Sequence, residues 1–208
     1  KLNCNNNQLT TLDCSANTLL KELSCASNQL TALELSKLTE LTKLACEGNQ
    51  LTVLELGTLT QLQTLDCSGN QLTTLDVSAQ KQLETLRCME NHLIALDVTG
   101  LSKLQRVEVI DNTRSIPFNA MGQVDLSALA DGFQPSKVQP DMWQNATCTE
   151  NVLTVNDRSQ EVRYEYQIDA NDASRTVSFT WIPTVMEEDA VAIDTEHFPD
   201  DVLRSYVP

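Results

Sequence analysis

Asparagine returns every 21 residues through the first half of the chain, at Asn7, Asn28, Asn49, Asn70, Asn91 and Asn112. No other feature restricts the fold as strongly, because a fixed period means one structural unit repeated and stacked. Cysteine keeps the same step at Cys4, Cys25, Cys46, Cys67 and Cys88. Leucine does so at Leu2, Leu23, Leu44, Leu65 and Leu86, with Val107 closing the column. Further leucine columns run from Leu9 to Leu93, from Leu12 to Leu96 and from Leu20 to Leu104.

One unit reads L-x-x-L-x-C-x-x-N-x-L-T-x-L-(D/E)-(L/V)-S. In L-x-C the two apolar side chains share one face of a short strand and the middle residue takes the other. Identical strands then stack in parallel about 4.8 Å apart. The asparagine falls where the chain turns, and its amide can bond backbone groups of its own coil and a neighbour. A buried leucine is worth roughly 1.5–3 kcal/mol. One coil cannot bury its own leucines, so stacking is a condition of stability.

These columns resemble the leucine-rich-repeat family, in the short bacterial form of internalin-like and gut-bacterial surface proteins. The resemblance covers about residues 1–116 and departs from the common pattern in having Cys where many members have Leu. It implies a right-handed solenoid with a parallel sheet on its concave face. Pairs such as Leu33 and Leu35, or Leu75 and Val77, predict a short extended stretch on the opposite wall.

The seven cysteines invite a disulfide or metal reading, which their spacing opposes. Thiols one coil apart have parallel side-chain vectors, whereas a disulfide needs Cβ atoms about 3.5–4.5 Å apart and turned together. No C-x-x-C pair suggests zinc. The column therefore reads as small buried hydrophobes. Cys14 shares a column with Leu35, Leu56, Val77 and Val98 and reads the same way, while Cys148 stands outside the ladder.

A net charge of −15 supplies no basic stripe to displace phosphate counterions, which argues against nucleic acid. No run of 18 or more apolar residues is present, so no membrane-inserting helix or signal peptide is expected. The chain opens at Lys1 inside a repeat and so reads as a piece of a longer protein. An acidic column at Asp13, Glu34, Glu55, Asp76 and Asp97 reads as a solvated face, with calcium as the alternative. His92 replaces the Gln of Asn-Gln-Leu, and His197 sits in an acidic stretch. No catalytic constellation can be assembled from these residues, and neither a cofactor nor a metal is expected.

The outward positions of the sheet form three columns. They are small, polar and of mixed charge, and they hold no Trp, Tyr or Phe. Interface hot spots favour Trp, Tyr and Arg, so the candidate binding surface is the patch Arg87, Met89, Arg106, Glu108 and Ile110.

After Asn112 the repeat fails. Val124 to Leu129 reads as a last strand or short helix sealing the stack. Val152–Val155, the alternating run from Val162 to Ile168 and that from Val177 to Ile182 predict antiparallel strands with one buried face. These strands also resemble the β module that follows such repeats in gut-bacterial surface proteins. The segment from His197 to Val207 predicts a short helix and resembles the opening of a further repeat domain.

The sequence thus predicts a mainly β chain. A right-handed leucine-rich-repeat solenoid with its sealing segment occupies residues 1–133, a small antiparallel β module 134–186, and a linker with a short terminal helix 187–208. The resemblance implies a non-catalytic module for protein recognition or adhesion, extracellular or at the cell surface of a bacterium, whose partner is a protein. A glycan-binding module and a ligand-free spacer are the alternatives, the first marked by exposed aromatics.

Overall fold

The computed structural model describes residues 1–129, 133–172 and 174–185, with the side chains of residues 139, 140 and 185 left aside. The expected terminal helix lies outside the described residues.

Six short strands carry the repeat: β1 (Leu2–Asn3), β2 (Glu22–Ser24), β3 (Lys43–Ala45), β4 (Thr64–Asp66), β5 (Thr85–Arg87) and β6 (Arg106–Glu108). They form one parallel sheet in chain order, each residue facing the one 21 positions ahead, as Leu44 faces Leu65. The middle leucine of β2 to β5 points inward, and Leu23, Leu44, Leu65 and Leu86 are buried. The residues flanking it are exposed or half-buried. The Leu33/Leu35 and Leu75/Val77 pairs are buried too, on a stretch that is assigned to no strand.

The asparagines hold the coils together from inside. Asn49 Nδ2 donates to the Cys25 carbonyl of the preceding coil at 3.1 Å and to Cys46 at 3.0 Å, while its Oδ1 accepts from the Leu30 amide at 3.0 Å. Asn28, Asn70, Asn91 and Asn112 repeat the arrangement. The neighbour each reaches is the coil before it. A buried backbone donor left unpaired costs about 1–3 kcal/mol, which explains why no other residue type appears in this column.

Beyond the stack, β7 (Thr113–Phe118), β8 (Gln123–Asp125), β9 (Val138–Gln144), β10 (Ala146–Thr149), β11 (Val152–Val155), β12 (Val162–Gln167) and β13 (Thr176–Val185) build two small sheets. Their orders are β10-β11-β8 and β7-β13-β12-β9. The pairing is antiparallel except where β7 lies parallel to β13. The segment expected to seal the stack is both a strand and a 3-10 turn, β8 followed by Leu126–Ala128. It pairs with β11, so β7 and β8 join the sheets of the later unit.

Alternation in β12 and β13 puts Tyr164, Tyr166, Phe179 and Trp181 inward. With Phe133 and Trp143 they make an aromatic core, for example Tyr164 to Trp181 at 4.8 Å between ring centroids. One continuous hydrophobic cluster runs from the leucines of the coils into this core. The Tyr164 hydroxyl donates to the Ile94 carbonyl at 2.7 Å, and the Val98 amide donates to Ile168 at 2.8 Å. Lys137 pairs with Asp97 at 3.0 Å. No helix among the described residues is long and apolar enough to cross a membrane.

Candidate functional site

The candidate patch lies at the far end of the six-stranded sheet. Register places Arg87 on β5 opposite Glu108 on β6, and Thr85 opposite Arg106. Met89 and Ile110 follow just beyond the strand ends, and Ile110 is 62% exposed. The five residues share one face.

The charges there are paired by sign within the face. Arg87 spans its neighbours, with Nη1 at 3.5 Å from Asp66 and Nε at 2.8 Å from Glu108. Arg106 Nε donates to Glu108 at 2.6 Å. The Arg106 hydrogen bond, together with the charges of Arg106 and Arg87, holds the Glu108 carboxyl below the usual range against a smaller effect of burial. The patch is therefore a matched ion-pair network with two apolar side chains at its rim.

Beside that rim lies a cavity of about 540 Å³ lined by Met89, Glu108, Ile110, Glu165, Val177 and Ser178. The last three come from β12 and β13, which the sequence reading did not assign to the site. Alternation in residues 162–168 put Glu165 on the face opposite Tyr164, but nothing local said that this face adjoins the repeat sheet. A second hollow of about 420 Å³ shares Ile110, Glu165 and Ser178 and continues over Thr180 and Arg163. Arg163 pairs with Glu161 at 2.9 Å.

The other candidates resolve into structural roles. Cys25, Cys46, Cys67 and Cys88 are buried, while Cys4 and Cys148 are half-buried. Burial pushes the Cys25 and Cys88 thiols up to about 12 and those of Cys46 and Cys67 well above their ordinary range. The Cys46 and Cys67 thiols point at the Asp66 and Arg87 carbonyls of the following coil, at 3.5 and 3.4 Å.

Four of the five residues of the acidic column, all but Glu55, cap turns. Asp13, Asp76 and Asp97 accept the amide two residues on, from Ser15, Ser78 and Thr99, at 2.8–2.9 Å, and Glu34 accepts from Ser36 at 2.8 Å. The three aspartates form Asx turns, and Glu34 makes the same bond with a longer side chain. Hydrogen bonds from the serine hydroxyl and amide lower the Asp13, Glu34 and Asp76 carboxyls. Among the described residues no group of three or more His, Cys, Asp or Glu could hold a metal ion. His92 is exposed, with Nδ1 2.8 Å from the Thr113 carbonyl. His197 lies outside the described residues.

Residues 39–80 match the family model described as Leucine Rich repeats (2 copies). Over these residues the repeating unit is a leucine-rich repeat. Among solved structures, the functional domain of InlJ from Listeria monocytogenes, described as including a cysteine ladder, aligns over 88% of this chain with a TM-score of 0.51 and 20% identity. This chain spans 61% of that one. A leucine-rich-repeat protein of Leptospira interrogans shares 32% identity over 49% of this chain and 29% of its own, with a TM-score of 0.47. Internalin InlF of Listeria monocytogenes shares 26% identity over 50% of this chain and 34% of its own, with a TM-score of 0.46. A comparison with curated proteins gave no match.

Proposed function

We propose that the chain is a non-catalytic protein-recognition module of a bacterial secreted or surface protein, serving adhesion or a related contact. The observation that carries this reading is the sheet face itself. Six strands in strict register present ordered outward columns that end in the network of Arg87, Arg106 and Glu108 beside exposed Ile110. Repeat solenoids use such extended faces for binding. The internalin-like architecture supports the same reading, as does a patch that holds two arginines.

The glycan alternative loses its expected mark, because every aromatic side chain among the described residues is buried and offers no ring for a sugar to stack on. A screen of the chain against extracellular proteins, with Arg87→Ser plus Arg106→Ser as the paired variant, tests the proposal. A protein hit that the double variant loses, at unchanged melting temperature, is the expected outcome. Hits on a glycan array alone, or none on either array, would overturn it.

A further inference from the structure

Two strand edges face each other across the larger cavity, and among the described residues none lies between them. In every earlier coil the amides at the Cys4 and Asn6 positions donate to the following coil, the last pair being Cys88 to Glu108 at 2.9 Å and Glu90 to Ile110 at 3.1 Å. The equivalents in the sixth coil are Val109 and Asp111, and β6 is the last strand of its sheet. Opposite stands β13. Its pairing with β7 begins at Thr180, so Thr176–Phe179 have β12 on one side and the cavity on the other.

The Thr180 amide turns toward the repeat stack and donates to the Asn112 carbonyl at 3.2 Å. At period two the Ser178 backbone points the same way. The slot is bounded at one end by that bond and at the other by Arg175, which reaches the Leu104 carbonyl at 3.3 Å.

The chemistry of the walls is uneven. Met89, Ile110 and Val177 make an apolar rim. Glu108 is neutralised by Arg87 and Arg106. Glu165 is not: among the described residues only the Ser178 hydroxyl bonds it. An incoming chain therefore meets backbone donors on one edge, an apolar rim and one uncompensated carboxylate.

We infer that this slot receives a short extended segment of a partner protein, added as a strand at the β6 edge, with a lysine or arginine set against Glu165 and an apolar residue on Ile110. Main-chain pairing supplies affinity and the alternate side chains supply selectivity. The inference rests on the recognition reading above and names the partner's chemistry, a cationic strand-forming segment.

The test is selection of phage-displayed random heptapeptides on the immobilised chain, with counter-selection on Ser178→Trp, whose indole fills the slot. Selected sequences should alternate apolar and polar residues and carry Lys or Arg. A synthetic peptide made from them should protect the Val109 and Ser178 amides from hydrogen exchange. It should lose about tenfold or more in affinity for Glu165→Lys, a change typical of breaking one partly buried charge contact. Thr176→Arg, at an exposed position, is a second blocking variant should Ser178→Trp fail to fold. No enrichment, or peptides that bind all three variants undiminished, would overturn the inference. A protein partner lost by Arg87→Ser plus Arg106→Ser but kept by the slot variants would remove the slot and leave the recognition reading standing.

Discussion

Gln80 occupies a column that holds Asn17, Leu38, Leu59 and Leu101 in the other coils, and like the three leucines it is buried. Its Nε2 donates to the Leu56 carbonyl at 2.8 Å, while Oε1 has no partner among the described residues. An orphaned buried acceptor costs about 1–3 kcal/mol. The Leu56 carbonyl keeps the Leu59 amide at 2.8 Å if the glutamine is removed. Gln80→Leu should therefore stabilise the chain by about 1 kcal/mol or more, raising the melting temperature by roughly 2–4 °C. A lower melting temperature would show that the amide is satisfied after all. The thiols make a second residue-scale case. Thiolate is the reactive form, and burial suppresses it in Cys25, Cys46, Cys67 and Cys88. A maleimide at neutral pH should label Cys4 and Cys148 first and reach those four only on unfolding. Fast labelling of Cys67 in the native chain would contradict the packing. The spacing was enough to read the burial of Cys25, Cys46, Cys67 and Cys88, but Cys4, read as buried with them, lies in the first coil with no coil stacked before it and is only half-buried. One column passed unread: Asn6, Ser27, Gly48, Gly69, Glu90 and Asp111 all have positive φ, between 52° and 65°. Its mix of Asn, Gly and Asp was the available clue, since these residues tolerate the left-handed region, but Ser27 and Glu90 obscured it.

At the scale of elements, strands were legible where a period was long and turns were not. The coil strands follow from L-x-C recurring in register, β11 from a short apolar run, and β12 and β13 from alternation. The acidic column was harder, because an exposed carboxylate looks the same in sequence whether it is idle or capping a turn. The D-x-S pattern is the distinguishing sign, and it recurs beyond the repeats at Asp125, Asp157 and Asp172, each accepting the amide two residues on. Hydrogen bonds from the serine hydroxyl and amide lower all three carboxyls, as they do Asp13 and Asp76. A folded-state pKa below the unfolded value of about 3.9 gives stability that is present above that value and lost as pH falls through the lower one. Acidification first relieves the self-repulsion of a chain with a pI near 4.3, which works in the opposite sense. The melting temperature should thus hold or rise slightly down to about pH 4 and then fall steeply. A flat profile to about pH 2 would mean that the turn bonds contribute nothing to stability.

At the scale of the molecule, the question is whether the repeats and the later sheets unfold as one body. Sequence could suggest that a small β unit follows the stack. It could not show that β7 and β8 are drawn into that unit, because strand partners so far along the chain, such as Asp125 and Val152 or Thr113 and Thr180, leave no local trace. Nor could it show that the module's face contributes Glu165 and Ser178 to the candidate site. The structure argues for one cooperative body. A single hydrophobic cluster crosses the junction, and it is bonded by the Tyr164 hydroxyl to Ile94 and by the Val98 and Thr180 amides. Stacked repeats ordinarily propagate folding through nearest-neighbour contacts, and a junction of this kind extends that coupling to the module. Trp143 and Trp181 report on the module, and the Cys88 thiol reports on the fifth coil, so their transitions in denaturant should share one midpoint. Tyr164→Phe leaves the ring in place and removes the bond to Ile94, at a cost of about 1 kcal/mol. If the body is cooperative, that variant lowers both midpoints equally. If only the tryptophan signal moves, the module melts by itself, and the slot between β6 and β13 is then a boundary between two independently folding parts.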